Sequence, residues 1–324
     1  MNRLEELWRS GRRAAPIYYA RNAALSLLPP AAFRMRARSL VGGWERRADA
    51  DHIRRRVDFY CSPAGSFSPG EDAVRLADIR LGKYHSRYLF DILPLLRPFS
   101  PQAKIYFHQG DVWANPAVPT LTKARRLDSL AANAVLLKLN SYRHYLTPRD
   151  NIPFGSKRPS VIFRGQIDGK PEREALMIRW ADSPLCDFGD TTTIRLSRWH
   201  CEPISVARHF EYRYVLAPEG NDVASCLQWV MASGCVPVMH RPTVESWLMH
   251  SLLEPGRHYV EVEPDFSDLG EKIAWYNAHP YEAERISRES QRWAAQFADS
   301  RREYLIGLLV VDRYMRLSGQ QPLL

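Results

Sequence analysis

The sequence lacks a long apolar segment. Its longest apolar run, residues 23–33, has 11 residues and is interrupted by Pro29 and Pro30. A helix needs roughly 20 apolar residues to cross a bilayer, so we expect no transmembrane helix. The composition, 45% hydrophobic and 25% charged over 324 residues, is that of a globular protein. A chain of this length predicts about two domains.

Cysteine is also scarce. The chain has five cysteines and no C-x-x-C pair, which disfavours a disulfide framework and a thiolate zinc site. The first residues do not form a short basic start followed by an apolar stretch, so we expect no cleaved secretion signal. Both observations favour a cytoplasmic protein.

Several cofactor motifs are missing. The sequence has no G-x-G-x-x-G, no Walker loop and no H-E-x-x-H. Residues 187–189 spell D-F-G, but the other protein-kinase motifs are absent. Residues 49–51 spell D-x-D in an arginine-rich segment, where capping of a helix explains them better. We therefore expect no bound metal and no cofactor other than a substrate.

The positive charge is concentrated at one end. Residues 1–57 contain 13 arginines and five acidic residues, so this segment carries +8 of the net +9. A nucleic-acid-binding protein would spread basic residues over its folded surface, so we expect no nucleic-acid partner. Arginines interleaved with aromatic and leucine side chains are typical of a segment lying on an anionic membrane leaflet. A solvated helical face or a dimer contact is equally compatible with this pattern.

The second half of the chain alternates between strand and helix patterns. Predicted strands at 161–163, 212–217 and 236–239 are separated by predicted helices over 171–180 and 223–233. Strands joined by helical crossovers form a parallel sheet, so the fold class is α/β. A further helix is predicted over 243–253, a strand at 57–60, and a linker over 147–159.

The most distinctive candidate site follows the strand at 212–217. It consists of Glu219, Gly220, Asn221, Asp222, Val223, Ala224 and Ser225. Unpaired amide groups at the start of a helix attract phosphate oxygens. An ordinary capped strand-to-helix turn has the same spacing, so this pattern alone leaves both interpretations open.

Two other segments carry candidate residues. Arg164 and Gly165 end a predicted strand and Arg173 opens the next helix, an arrangement that suits a diphosphate because a guanidinium offers paired donors. A pair of ordinary surface basic residues is the alternative. The loop with His108 and Asp111 could supply a general base, although an aspartate in a loop is commonly only a turn former.

Taken together, these segments resemble family-90 glycosyltransferases, and the bacterial lipopolysaccharide core branch in particular. The resemblance covers about residues 75–315 and is carried by ordered segments at 110–112, 136–140, 143–145, 163–165 and 214–225. It implies a GT-B-like fold with two Rossmann-like lobes, whose parallel sheets face each other across a cleft. It further implies a metal-independent, inverting transfer from a UDP-sugar, with Asp111 as the catalytic base.

The resemblance also implies roles for the other candidates. Arg164, Gly165, Arg173 and residues 219–225 would bind the donor, and His108, Arg143 and His144 are the acceptor-side candidates. The expected domains are a basic amphipathic leader (1–57), an acceptor lobe (58–155), a nucleotide-sugar lobe (156–284) and C-terminal helices packing back on the acceptor lobe (285–324).

The expected reaction moves a hexose to a hydroxyl of a lipopolysaccharide core or similar glycan. The enzyme would be cytoplasmic, in peripheral contact with the inner leaflet through residues 1–57. One alternative is a catalytically inactive scaffold of the same fold at the membrane. Another is an enzyme that uses a GDP- or CMP-sugar.

Overall fold

A computed structural model describes residues 14–63, 65–128, 130–145, 149–193 and 197–323 of the chain. Their contacts divide the chain into two units. We call the first the sheet unit; it contains Arg143–Pro242 and Leu252–Gln296. The second, which we call the helical unit, contains Pro16–Tyr142, Thr243–Ser251 and the C-terminal segment from Phe297 onward.

The first elements of the chain build the helical unit. Its first helices are α1 (Ala14–Ser26), α2 (Pro30–Val41), α3 (Ala50–Tyr60) and α4 (Ser86–Leu96). Its strands are short: β1 (Val74–Arg75), β2 (Lys104–Ile105), β3 (Thr120–Thr122), β4 (Ala124–Arg126) and β5 (Ala134–Leu136). β1 pairs antiparallel with β2, and β3 pairs parallel with β5. The chain then reaches the short helix α5 (Ser141–His144).

The prediction of a strand at 57–60 is wrong, because these residues form the last turn of α3. The buried side chains of this helix are spaced three and four residues apart, at Ile53, Arg56, Val57 and Tyr60. This spacing is the helical period. A window of four residues is too short to show it.

The sheet unit alternates strand and helix, as predicted. Its elements are β6 (Arg158–Gly165), α6 (Pro171–Trp180), β7 (Cys186–Asp190), α7 (Val206–His209), β8 (Tyr212–Leu216), α8 (Leu227–Met231) and β9 (Val236–Met239). After β10 (Val244–Ser246) it continues with β11 (Val260–Glu261), α9 (Leu269–Ala278) and α10 (Pro280–Ala295). The last helix, α11 (Ser300–Leu317), belongs to the helical unit.

All five strands of the sheet unit are parallel, which confirms the α/β class. Their order is β11-β9-β8-β6-β7. Helices cover both faces: Val161 packs on one face with Leu176 of α6, and Ile162 packs on the other with Trp229 of α8. The chain moves outward from β6 to β7 and then returns across β6 to β8. The direction of winding therefore reverses between β6 and β8, which is where open α/β sheets bind ligands.

Two helix predictions in this half of the chain need correction. The segment expected to be helical over 243–253 instead contains β10, which pairs antiparallel with β4 in the helical unit. The helix expected over 223–233 is limited to Leu227–Met231. In both cases the apolar spacing fits a helix, but packing and strand pairing decide the local structure, because propensity is only a weak constraint.

A buried ion pair lies in the core of the helical unit. Arg56 of α3 is 2% exposed, and its Nη1 lies 2.5 Å from Oε1 of Glu303 on α11. Trp247 donates from Nε1 to the other carboxylate oxygen of Glu303 and stacks on Tyr60. Burial alone would raise the pKa of Glu303, but the hydrogen bond and charge of Arg56 outweigh it and lower that pKa. The carboxylate therefore stays ionised and compensates the buried guanidinium.

The described part of the basic segment, residues 14–57, contains α1, α2 and most of α3. Phe33 and Ala37 of α2 and Ile53 of α3 are buried in the helical unit. No helix among the described residues is both long enough and apolar enough to span a membrane.

We expect Glu303→Gln to lower the free energy of unfolding by about 3–5 kcal/mol, because the buried Arg56 would lose its counter-charge while the side-chain shape is kept. Urea unfolding followed by circular dichroism measures this loss. Glu254→Gln is the matched control, since Glu254 pairs with Arg257 at the exposed surface. An unchanged midpoint for Glu303→Gln would contradict the assigned role.

Candidate active site

Arg173 lies at the point where the winding of the sheet reverses. It belongs to the first turn of α6, and its guanidinium lies between the carboxyl ends of β6 and β8. Nη1 donates to the carbonyl oxygen of Gln166 at 3.0 Å, and Nη2 donates to those of Pro218 and Glu219 at 3.1 and 3.2 Å. A single side chain thus connects the two loops that border the expected ligand site.

Gly220 makes room for this guanidinium. A Cβ atom at Gly220 would lie 3.1 Å from Nη2 of Arg173, closer than side chains normally pack. A Cβ atom at Gly165 would lie 2.7 Å from the ring of Phe163 but 3.6 Å from Nη1 of Arg173, which is an ordinary contact distance. Both glycines were predicted site residues, and the structure shows that Gly220 permits the close approach of Arg173, whereas Gly165 accommodates Phe163.

Two further cations accompany Arg173. Nζ of Lys170 lies 2.5 Å from Oδ1 of Asn221 and so holds the same loop. Burial lowers the pKa of Arg173 and outweighs the opposing effect of Cys226, and the nearby charge of Arg143 lowers this pKa further. The hydrogen bonds described above connect Arg173 and Lys170 to neutral oxygens. A desolvated guanidinium with neutral hydrogen-bond partners favours an anionic ligand.

This edge of the sheet suits an anion better than a metal ion. Cations repel a divalent ion, and its usual ligands are carboxylates, imidazoles and thiolates. Within the described ranges, no group of three or more His, Cys, Asp and Glu side chains is arranged to hold a metal.

Arg164 contacts a different part of the unit. Its Nη2 lies 2.5 Å from Oδ1 of Asp187 on β7, and its Nη1 donates to the carbonyl oxygens of Phe163 and Asp187. Burial would raise the pKa of Asp187, but hydrogen bonds from Tyr212 and Arg164 outweigh it and lower that pKa. The predicted donor residue Arg164 is therefore held by a carboxylate, whereas Arg173 is held by carbonyl groups.

The loop after β8 differs from the expected helix start. Asp222 accepts a hydrogen bond from the amide of Val223 at 2.7 Å, and both residues are buried. Helix α8 begins only at Leu227. Glu219, Asn221, Ala224 and Ser225 are partly exposed, and Gly220 is exposed. Asp222 therefore makes this hydrogen bond within a loop and does not cap a helix. The sequence predicted that residues 222–225 begin a phosphate-binding helix, but these residues precede α8.

Asp111 lies in the helical unit, in the loop that follows β2. Its Oδ1 is 3.1 Å from Nζ of Lys123, which sits between β3 and β4 and is 3% exposed. His108 approaches the same loop, with Nε2 at 3.2 Å from the carbonyl oxygen of Asp111. The side chain of Asp111 is 37% exposed, so a buried ammonium orients a carboxylate that remains accessible to solvent.

The remaining acceptor-side candidates, Arg143 and His144, belong to the sheet unit. His144 is buried, and its ring lies 6.2 Å from that of Tyr145. Arg143 is exposed and close enough to Arg173 to affect its pKa. Arg143, predicted as an acceptor-side residue, therefore lies near the donor candidate Arg173.

Sequence reasoning did not find Lys123 or Trp113. Lys123 is a single lysine between two strands, and only the tertiary structure shows that it meets Asp111. Trp113 is 71% exposed, two residues after Asp111. A tryptophan two residues from a candidate base was a usable signal in the sequence. The sequence did not show that Trp113 is exposed while Val112, the residue between them, is buried.

Comparison with known proteins identifies related chains. Residues 131–322 match glycosyl transferase family 90. The chain is 36% identical over 308 residues to O-glucosyltransferase LpsA of Dichelobacter nodosus, an alignment that covers 94% of this chain and 96% of that protein.

Animal proteins match over a shorter segment. Protein O-glucosyltransferase 3 of Homo sapiens is 29% identical over 175 residues, which is 52% of this chain and 34% of that protein. Protein O-glucosyltransferase 2 of Danio rerio is 30% identical over 114 residues, or 35% of this chain and 21% of that protein. This chain therefore spans at most about a third of the length of these two relatives.

We expect Arg173→Gln to weaken the binding of UDP by roughly 10- to 100-fold, because charge-assisted hydrogen bonds contribute about 1.5–3 kcal/mol. Isothermal titration calorimetry measures the change. Arg179→Gln on the same helix is the control, since Arg179 pairs with Asp265 at the surface. Equal affinities for the two variants would exclude Arg173 from the expected diphosphate site.

Proposed function

This chain belongs to glycosyl transferase family 90, and we propose that it transfers a hexose from a UDP-sugar to a hydroxyl group of a glycan. The hexose we propose is glucose, because the relatives described above are named O-glucosyltransferases. The acceptor we propose is a lipopolysaccharide core or a similar glycan. The sheet unit acts as the donor lobe and the helical unit as the acceptor lobe of a GT-B enzyme.

The observation that carries this proposal is the position of Arg173 between the ends of β6 and β8. Nucleotides bind at this point in sheets with the same strand order. The diphosphate of a nucleotide sugar supplies the negative charge that Arg173 and Lys170 lack among their hydrogen-bond partners. The guanidinium also offers donors in a planar fork that matches phosphate oxygens.

In the proposed reaction, Asp111 is the general base. Its carboxylate accepts the proton of the acceptor hydroxyl while that oxygen forms a bond to the anomeric carbon. The bond from the anomeric carbon to the diphosphate breaks on the opposite face, and UDP leaves with the bonding electrons. Arg173 and Lys170 stabilise the charge that develops on the diphosphate, so that no divalent ion is required. The anomeric configuration is inverted by this single displacement.

A glycan acceptor is supported by the loop around Trp113. Val112 is buried, while Asp111 and Trp113 on either side of it face solvent. Asn115 fixes the loop, because it donates to the carbonyl oxygen of Arg126 and accepts from the amide of the same residue. The apolar C–H face of a pyranose packs well on a rigid indole ring. Trp113 can therefore position a sugar whose hydroxyl reaches Asp111.

We expect Asp111→Asn to reduce turnover by about 10²–10⁴-fold, the usual contribution of a general base. Its affinity for UDP should not change, because Arg173 and Lys170 are left intact. A sugar-transfer assay and calorimetry with UDP measure the two quantities. Full turnover in this variant would exclude Asp111 as the base.

If the wild-type protein binds UDP but releases none from any UDP-sugar in the presence of core oligosaccharide, the scaffold alternative is favoured.

Trp113→Ala should raise the KM for a glycan acceptor by roughly tenfold, because an aromatic stacking contact contributes up to about 1.5 kcal/mol. The KM for the UDP-sugar should stay the same. Trp275→Ala is the matched control, since Trp275 is a half-exposed tryptophan of the sheet unit. Equal acceptor KM values for the two variants would contradict the proposed sugar contact.

A further inference from the structure

The helices α1 and α2 form a hairpin that is fixed on one side to the helical unit. Tyr18 donates from its hydroxyl to Oδ1 of Asp91 on α4 at 2.7 Å. Arg97 donates from Nη1 to the carbonyl oxygen of Leu28 in the turn at 2.9 Å. Phe33 and Ala37 of α2 are buried. The position of the turn is therefore set by specific contacts on one face.

The turn of this hairpin and the start of α2 expose large apolar side chains. Leu27 is 85% exposed, Leu28 is 44% exposed and Met35 is 74% exposed. Leu27 and Leu28 lie in the turn between the helices, and Met35 lies in the second turn of α2. Exposed apolar side chains are thus concentrated in one short segment, the turn and the first two turns of α2, which is a feature that marks interaction sites. We call these three side chains the apolar patch.

The charge around this patch has a single sign. Residues 16–44 contain four arginines and no aspartate or glutamate. All four side chains, Arg21, Arg34, Arg36 and Arg38, are exposed. Apolar side chains next to arginines are the combination that binds at the headgroup level of an anionic bilayer.

We propose that the tip of the α1–α2 hairpin docks on an anionic lipid bilayer, with Leu27, Leu28 and Met35 inserted below the headgroups. Among the described residues of the segment 1–57, the membrane contact is thereby assigned to one element. At the end of that segment, Arg47, Arg54 and Arg56 are instead paired with acidic side chains. A second copy of the chain is a poorer occupant, since a symmetric contact would bring the four arginines of each hairpin together.

The test is co-sedimentation of the full chain with vesicles of phosphatidylcholine, with and without phosphatidylglycerol. The wild-type chain should bind only the anionic vesicles. The double variant Leu27→Ser with Leu28→Ser should lose at least tenfold in affinity, and it should fold normally because both side chains are exposed. Ile178→Ser is the matched control, since Ile178 is a similarly exposed aliphatic residue of the sheet unit; it should bind like the wild type.

A second set of variants tests the charge. Arg34→Gln and Arg38→Gln should each weaken binding by roughly fivefold, because a basic residue near an anionic surface contributes about 1 kcal/mol. Added salt should reduce the binding of the wild-type chain. Arg55→Gln is the control, since Arg55 is an exposed arginine of α3, outside the hairpin; it should leave the affinity unchanged.

Two results would overturn the inference. One is wild-type binding by the leucine double variant, which would place the contact elsewhere in the chain. The other is a wild-type chain that ignores anionic vesicles but forms dimers that the double variant does not form, which would make the patch a contact between copies. Neither measurement depends on sugar transfer, so this proposal and the proposed function can fail separately.

Discussion

The reversal of strand order between β6 and β8 is the constraint on which the proposed donor site depends. The crossovers on either side of it leave in opposite directions, so the two strand ends border the crevice at which open α/β sheets bind ligands. Arg173 reaches across this crevice to the carbonyl oxygens of Gln166 and Pro218. The fold supplies the position, and one side chain supplies the charge and joins the two loops.

Arg56 and Arg173 show how charge compensation separates structural from functional roles. Arg56 has a full counter-charge in Glu303, together with stacked aromatic neighbours, and has no capacity left for a ligand. Arg173 is desolvated as well, but its hydrogen bonds go to carbonyl groups, which carry only partial charge. The positive charge without a full counter-charge therefore lies at the strand ends, where an anion from solution can bind to it.

Much of the sheet unit could be predicted because its elements carry local signals. Helix α6 has proline at its first position and a regular apolar period, and its predicted bounds of 171–180 match the structure. The helix expected from residue 223 onward had similar signals, yet Asp222 accepts a hydrogen bond from the amide of Val223 and the helix begins only at Leu227. Local spacing cannot show such a hydrogen bond. The contacts of Arg164 with Asp187 and of Asp111 with Lys123 join residues that are 23 and 12 positions apart, so only the folded chain reveals them.

The sequence also overstated the extent of the basic surface. Counting charges assigns a net +8 to residues 1–57, but it does not show where the positive charge remains unpaired. Arg47 pairs with Asp49 and Arg54 with Asp51 inside the segment, and Arg56 is neutralised by Glu303 from outside it. The exposed arginines of the α1–α2 hairpin have no ion pair within the described residues. The electrostatic potential that an anionic partner would meet is therefore set by these arginines, and two of them, Arg34 and Arg36, flank the exposed Met35.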